Sequence, residues 1–309
     1  MLLLFNLHMA FLNSVVEGWK VCKDSMSFIL KKPVFLVPLF FCWMVVAVVT
    51  LYNRYYFPDL GSFWLIIGYI YFLIVLLAFS ICMSNIVMLE LVQQMESGKG
   101  TSLLKALKEA LGYNLIRVIP MAFIWGIVWL IIVILKALTS KARKGGKAEP
   151  SVKDAAMSLS GLNTPFSFWR LGLDMLEKLV RMVVFMALPA VAWENKGPFA
   201  AYKRSFQIIK KHPTQFLASY TLTLVAAVVM ALPLLPIYIL NKLDIVLPTS
   251  VWVAVIIYVG IIWTLEIYME QMSVGILYLW HMKWEKKGSK GELSSVEKPD
   301  LFDEVYELK

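Results

Sequence analysis

The chain has 309 residues, 60% of them apolar, and its mean hydropathy of +0.71 excludes an ordinary water-soluble domain. A net charge of +9 would suggest nucleic acid as the partner of a soluble protein, but here Lys and Arg flank long apolar runs. Membrane lipids with anionic headgroups are therefore the expected partner, and no nucleic acid is expected.

Apolar runs of about 20 residues, enough to cross about 30 Å of hydrocarbon, predict an all-α, polytopic transmembrane helix bundle. The six predicted spans are 34–52, 63–91, 119–135, 168–193, 214–240 and 251–279. An N-terminal amphipathic surface helix, 1–33, precedes them, and a mixed-charge cytoplasmic tail, 283–309, follows. No signal peptide is indicated, and Met9 is an alternative start to Met1.

A basic surface helix, then a proline, then an apolar run occurs three times. The clearest copy is the helix 198–212, which starts with a proline and ends at Pro213. The helix 98–117 ends before Pro120, and the N-terminal helix ends before Pro33. We therefore predict an internal repeat of three hairpins, each introduced by a basic amphipathic surface helix.

The basic residues of these surface helices are the candidate contacts to anionic lipid headgroups. They are Lys31, Lys32, Lys105, Lys108, Lys203, Arg204, Lys210 and Lys211. In the helix 198–212 the pattern also predicts an apolar face formed by Phe199, Tyr202, Phe206 and Ile209.

The fourth span is unusual because only 182–193 is apolar, which is too short to cross alone. A helix that extends back to residue 168 carries a charged stripe formed by Asp174, Glu177, Lys178 and Arg181. Spacings of four would pair these charges within the helix, Asp174 with Lys178 and Glu177 with Arg181. Two interpretations stay open: 168–181 lies on the far membrane surface, or the helix spans and its stripe faces the bundle interior.

Glu266 and Glu270 lie four residues apart in the sixth span and share one helical face. Ionisable residues inside a bilayer are costly and usually face a partner or water. Counting along the helices places these carboxylates at about the depth of Lys178 and Arg181. We therefore expect Glu266 or Glu270 to pair with Lys178 or Arg181, either as a structural ion pair or within a polar path between spans four and six.

The sequence contains no phosphate-binding loop, zinc-protease motif or serine-hydrolase motif. Its three cysteines and three histidines lack metal-ligand spacing, so no metal and no cofactor are expected. An enzyme is the least favoured class. The sequence favours a non-enzymatic protein that organises lipids or partner proteins at the membrane, with a transporter or lipid-handling protein as the alternative. A protein partner or a homo-oligomer stays open.

Lys and Arg are more numerous near the span ends on the side of the N-terminus, which favours the cell (inner) membrane with both termini in the cytoplasm. The basic segment 136–165 would then lie outside and argues against this orientation. In the second span, Asn85 is expected to form a hydrogen bond across a helix interface.

The stretch 187–205, ALPAVAWENKGPFAAYKRS, combines a proline, an acidic residue, Gly-Pro and Lys-Arg-Ser. It resembles a family of uncharacterised six-helix prokaryotic integral membrane proteins, and it is similar to the membrane domain fused to some glycerophosphodiester phosphodiesterases. Gly18-Trp19-Lys20, followed by Pro33 and Pro38, fits the same resemblance. The resemblance covers most of 10–282 and implies a membrane location and a six-helix architecture, but no reaction.

Overall fold

The computed structural model describes residues 29, 32–56, 62–96, 100–143, 168–243 and 248–288, and all regular structure in these ranges is helical. The α-helices there are α1 Val37–Tyr55, α2 Phe63–Glu96, α3 Leu103–Glu109, α4 Leu115–Arg143, α5 Phe168–Ala192, α6 Pro198–Lys211, α7 Pro213–Ala231, α8 Leu235–Lys242 and α9 Thr249–Lys286. Most of the predicted N-terminal helix, including Lys31, and most of the predicted tail lie outside the described residues.

Within the described residues, five helical stretches are long and apolar enough to cross a membrane. They are Pro33–Asn53, Trp64–Met95, Leu103–Lys136, Pro213–Leu240 and Ser250–Lys286. The remaining long helix, α5, is not among them because charged residues interrupt its first half. The six predicted spans therefore correspond to five apolar helices and one charged helix.

The helix bundle has two ends, which we call the loop end and the hinge end. At the loop end lie the ends of α1, α4 and α8 and the starts of α2, α5 and α9. Here Tyr69 of α2 donates a hydrogen bond of 2.7 Å to Asn53 Oδ1 of α1. At the hinge end lie α3, α6 and the starts of α1 and α7; here Trp193 Nε1 donates to the carbonyl oxygen of Leu89 at 3.3 Å.

The packed core lies at the hinge end. The hinge-end half of α5 is buried from Val184 to Trp193, and it contacts α2, α4, α6 and α9. Towards the loop end the same helices expose apolar side chains, such as Phe72 on α2 and Ile257 on α9. Exposed apolar side chains of this kind are normal where a helix faces lipid, because lipid tails are as apolar as the side chains themselves.

The prolines act differently in the three predicted repeats. Pro213 begins α7 directly after His212, as predicted, and Leu232–Leu234 forms a 3-10 turn that bends the far end of this stretch. The prediction that a helix ends before Pro120 is wrong, because Pro120 lies inside α4. The chain departs from helical geometry instead at Gly112, where ψ is −116°.

The surface helix α6 packs through its small side chains. Ala201, Ser205 and Ile208 are buried, and Ser205 Oγ donates to the carbonyl oxygen of Val183 at 2.9 Å. The predicted single apolar face is therefore divided: Tyr202 and Ile209 pack against the core, whereas Phe199 and Phe206 are exposed. Small residues allow the α6 backbone to approach α5 closely, and the large rings then have no room on that side.

Candidate functional site

A cluster of charged side chains joins α5 to α9 at the loop-end border of the core. Lys178 Nζ lies 2.5 Å from Glu270 Oε1 and 3.2 Å from Glu266 Oε1. Arg181 donates from Nε to Glu270 Oε2 at 2.7 Å and from Nη2 to Glu266 Oε1 at 2.9 Å. The pairing predicted from depth counting is therefore present, and each cation contacts both carboxylates.

Asp174 and Glu177 pair across helices too. Lys136, near the loop end of α4, lies 2.6 Å from Asp174 Oδ1 and forms a second ion pair with Glu177 Oε2. The predicted pairs within α5 are replaced by these contacts, because the stripe on α5 faces two neighbouring helices that each supply opposite charge. The sequence pattern placed Lys136 in a polar loop, because a cation at the end of an apolar run fits a loop as well as a helix.

Among the side chains that the structure describes, the cluster contains three cations and four carboxylates, so one negative charge is in excess when all of these are ionised. Its members range from accessible to fully buried. The Asp174 side chain is 50% exposed, and the Glu270 side chain is 0% exposed. Buried charges persist only when they are paired and hydrogen-bonded, and Glu270 meets that condition with three donated hydrogen bonds from Lys178 and Arg181.

An exposed apolar stripe continues from this cluster along α9 to the loop end. Alternating spacings of four and three place Trp252, Ile256, Val259, Trp263, Glu266 and Glu270 on one helical face. Ile256 is 55% exposed and Val259 is 43% exposed, although the same face is fully buried at Glu270. On α5 the facing stripe shows the same change, from Leu171 at 44% to Lys178 at 5%. We call the surface that these two stripes form the loop-end cleft.

α7 closes one side of the cluster. Tyr220, which is buried, donates a hydrogen bond of 3.1 Å to the carbonyl oxygen of Met175 on α5. Closer to the loop end, Tyr258 of α9 donates to the carbonyl oxygen of Met230 on α7 at 2.9 Å. These two bonds hold α7 against both helices of the cleft.

A second polar network lies at the hinge end. Arg204 of α6 forms ion pairs with Glu194 and Glu285, and Tyr278 donates to the Glu194 carboxylate. Burial alone would raise the pKa of Glu194, but hydrogen bonds from Lys196 and Tyr278 and the charge of Arg204 hold this pKa below its ordinary value. The network attaches α6 to α9.

Two histidines meet beside this network, which sequence spacing did not suggest. His212 Nε2 lies 2.9 Å from His281 Nδ1 across α6 and α9. Burial, followed by the neighbouring His281 and Lys211, lowers the pKa of His212 to about 4. His281 Nε2 also lies 3.1 Å from Glu285 Oε1, at ion-pair distance but outside hydrogen-bond geometry.

The predicted lipid-contact residues divide into two groups. The exposed ones in the described residues are Lys32, Lys105, Lys108, Lys203, Lys210 and Lys211. Arg204 is instead bound to protein carboxylates, so we correct its assignment: the guanidinium fork suits two acidic groups better than one exposed headgroup. Lys211 lies 5.0 Å from the centre of the Trp284 ring.

Other candidates from the sequence have local roles. Asn85 donates a 2.9 Å hydrogen bond to the carbonyl oxygen of Ile81 within its own helix. The Asn85 side chain was predicted to donate across a helix interface, and this hydrogen bond lies within the helix instead. Within the described ranges, His, Cys, Asp and Glu form no cluster of three or more that could hold a metal ion.

The fold and the distribution of apolar surface define the class: the chain is an all-helical, multi-pass membrane protein. It matches no protein-family model, no curated protein and no solved structure. The resemblance to six-helix prokaryotic membrane proteins therefore stays a prediction.

Proposed function

We propose that the protein is a lipid-handling membrane protein that binds an amphipathic molecule in the loop-end cleft. The observation that carries this proposal is the continuous face of α9, on which exposed apolar residues lead to a buried charge cluster. Acyl chains would lie along Trp252, Ile256 and Val259, and the headgroup would reach the charges at the closed end. A mixed apolar and polar lining is typical of small-molecule sites.

The charge balance favours a headgroup that carries a positive group. The cluster has one carboxylate in excess, and Asp174, its most exposed member, is acidic. An ammonium group entering from the loop end would meet Asp174 and Glu177, together with their partner Lys136, before it met Lys178 or Arg181. An amine-bearing, zwitterionic phospholipid meets both requirements of the cleft.

The proposal includes a membrane-crossing α5, and hence six spans. Its 25 residues give a length of about 38 Å, which exceeds the hydrocarbon thickness of about 30 Å. Its charges are paired with α4 and α9, so the cost of carrying them into the bilayer is reduced. By the distribution of Lys and Arg, the hinge end lies in the cytoplasm and the membrane is the cell (inner) membrane.

The test is lipid retention measured by native mass spectrometry of the purified protein. The double variant Ile256→Trp with Val259→Trp fills the cleft, and we expect it to lose a retained phosphatidylethanolamine that the wild-type protein keeps. The matched control, Ile257→Trp with Ile261→Trp, adds the same bulk to the opposite, exposed face of α9. Equal retention by both double variants, or none by the wild type, would refute the proposal.

A second candidate is a protein that organises lipids or partner proteins at the membrane surface without internal binding. The exposed Phe199 and Phe206 of α6 favour it. The two candidates differ in the role of the cluster. Glu266→Gln should abolish lipid retention in the cleft if the first is correct, and should leave every lipid contact unchanged if only the surface acts.

A further inference from the structure

α6 presents a stripe of alternating aromatic and basic residues away from the protein. Phe199, Lys203, Phe206 and Lys210 follow one another at spacings of four, three and four, and therefore lie on one helical face. Phe199 is 75% exposed and Phe206 is 59% exposed, and both lysines are exposed. The opposite face, with Ala201 and Ser205, is buried against the core.

α3 carries the same arrangement in another stretch of the chain. Leu104, Lys108 and Leu111 repeat the apolar, basic, apolar order at spacings of four and three. Leu104 is 80% exposed and Leu111 is 52% exposed, whereas Ala106 and Ala110 on the other side are fully buried. Two helices from different parts of the chain thus bury small residues and expose large apolar residues next to lysines.

Both stripes belong to the hinge end, where α6 is held to α4, the helix that follows α3 along the chain. Arg117 Nη1 donates to Asn195 Oδ1 at 3.1 Å, just before the start of α6. Tyr202 of α6 donates to the carbonyl oxygen of Met121 on α4 at 3.2 Å. The two helices therefore lie at the same end of the bundle, from which α4 and α7 run towards the loop end.

We infer that these stripes, Leu104-Lys108-Leu111 and Phe199-Lys203-Phe206-Lys210, form one docking surface for the anionic phospholipid headgroups of the leaflet at the hinge end. Phenyl and leucyl side chains reach the boundary between headgroups and acyl chains, and the lysines beside them reach the phosphates. The surface is separate from the loop-end cleft and lies at the other end of the bundle. If this inference is wrong, the proposal of lipid binding in the loop-end cleft is unaffected.

The apolar residues of the two stripes favour a membrane over an acidic protein as the partner of this surface. Helix α7 begins at Pro213, two residues after α6 ends, so the chain passes directly from α6 into an apolar stretch. A helix next to such a stretch lies at the level of the headgroups, where large apolar side chains between lysines are stabilised. We therefore commit to an anionic lipid surface.

The experiment is competition between two lipids on the full-length protein in detergent. Phosphatidylglycerol and phosphatidylcholine with identical acyl chains are supplied together, and native mass spectrometry counts each bound lipid. We expect the wild type to prefer phosphatidylglycerol. In the double variant Lys108→Gln with Lys203→Gln, the preference should fall about fivefold for each lysine removed. The matched control, Lys286→Gln with Lys287→Gln, removes equal charge at the end of α9 and should keep the preference.

A second measurement tests whether the apolar residues of the surface enter the membrane. Phe206→Cys, in a background without Cys22, Cys42 and Cys82, is labelled with an environment-sensitive dye in nanodiscs that contain phosphatidylglycerol. A blue-shifted emission relative to the same label at Lys287→Cys is expected. The inference would be overturned if the wild type showed no preference for phosphatidylglycerol, or if the two double variants lost the preference equally. It would also be overturned if the emission of the dye at position 206 were that of a dye in water. Absence of a preference in the wild type would favour an acidic protein as the partner.

Discussion

Glu270 is the residue on which the buried cluster depends most. Its carboxylate is fully buried and accepts three hydrogen bonds from two cations. Asp174, in the same cluster, is half exposed and contacts one lysine. The free energy that each residue contributes to stability should follow this difference, because water can replace the partner of an exposed charge but not of a buried one.

Glu270→Gln should lower the stability of the protein in detergent by ~3–5 kcal/mol, because it leaves Lys178 and Arg181 without their main partner. Asp174→Asn should cost no more than about 1 kcal/mol. The double variant Glu270→Leu with Arg181→Met removes one charge of each sign and should recover much of the loss. Thermal unfolding of the four proteins tests this, and equal shifts for Glu270→Gln and Asp174→Asn would contradict it.

The histidine pair should make stability depend on pH. The pKa of His212 is lowered from 6.5 to about 4 in the folded protein, so the unfolded chain binds the proton more readily. Stability is therefore complete above pH 6.5 and falls as the pH decreases towards about 4. Of the charged groups that face His212, Lys211 lowers its pKa further and Glu285 opposes this, but burial is the largest cause and keeps the pKa below its ordinary value. His212→Gln should show a smaller loss over the same pH range in thermal unfolding, and an equal loss would contradict the assignment.

At the scale of elements, glycines decide how closely the apolar helices approach. A Cβ on Gly126 of α4 would lie 2.7 Å from Val75 Cγ2 of α2, and a Cβ on Gly260 of α9 would overlap the ring of Trp43 on α1. By contrast, a Cβ on Gly68 of α2 would meet nothing within 4 Å. Close contact through small residues is the main source of helix association in membranes.

Gly260→Ala should therefore destabilise the protein by about 1–3 kcal/mol, because Trp43 must move to make room. Gly126→Ala should have a smaller effect in the same direction, since one methyl group of Val75 can shift. Gly68→Ala is the control and should be neutral or stabilising by up to about 1 kcal/mol, because alanine favours the helix. Thermal unfolding in detergent ranks the three variants. A loss for Gly68→Ala equal to that for Gly260→Ala would contradict close packing of α1 on α9.

At the scale of the whole molecule, the crossing of α5 determines the topology. If α5 crosses, Tyr56, Gly146 and Leu243 share one side of the membrane and Asn195 lies on the other. The charges of Lys178 and Glu270 then lie within the bilayer. If α5 does not cross, Gly146 and Asn195 lie on the same side.

Single cysteines at these four positions, in a chain without Cys22, Cys42 and Cys82, are labelled in intact cells with a membrane-impermeant maleimide. We expect labelling at positions 56, 146 and 243, and protection at position 195 that permeabilising the cells removes, because Lys and Arg favour a cytoplasmic hinge end. Equal labelling at positions 146 and 195 would refute a spanning α5 and, with it, the cleft as proposed.

Much of the candidate site could be predicted from residue order. Glu266 and Glu270 share a helical face by spacing alone, and counting residues from the helix ends brought them to the depth of Lys178 and Arg181. The role of Lys136 could not be predicted in this way, because its partners lie on another helix. A position at the end of an apolar run is also equally typical of a loop. His212 and His281 were missed for the same reason, since 69 residues separate them.

The sequence by itself determined the all-helical, membrane-embedded character of this protein, because long apolar runs have no other stable arrangement in lipid. It also determined which faces carry charge, since helical periodicity is a local property. Only the tertiary structure decided which charges pair, that Arg204 binds Glu285 rather than a headgroup, and that the bend before α4 falls at Gly112 rather than at Pro120. Those outcomes depend on which helices lie next to one another, and that is set by the shape and packing of whole helix surfaces rather than by any local stretch of sequence.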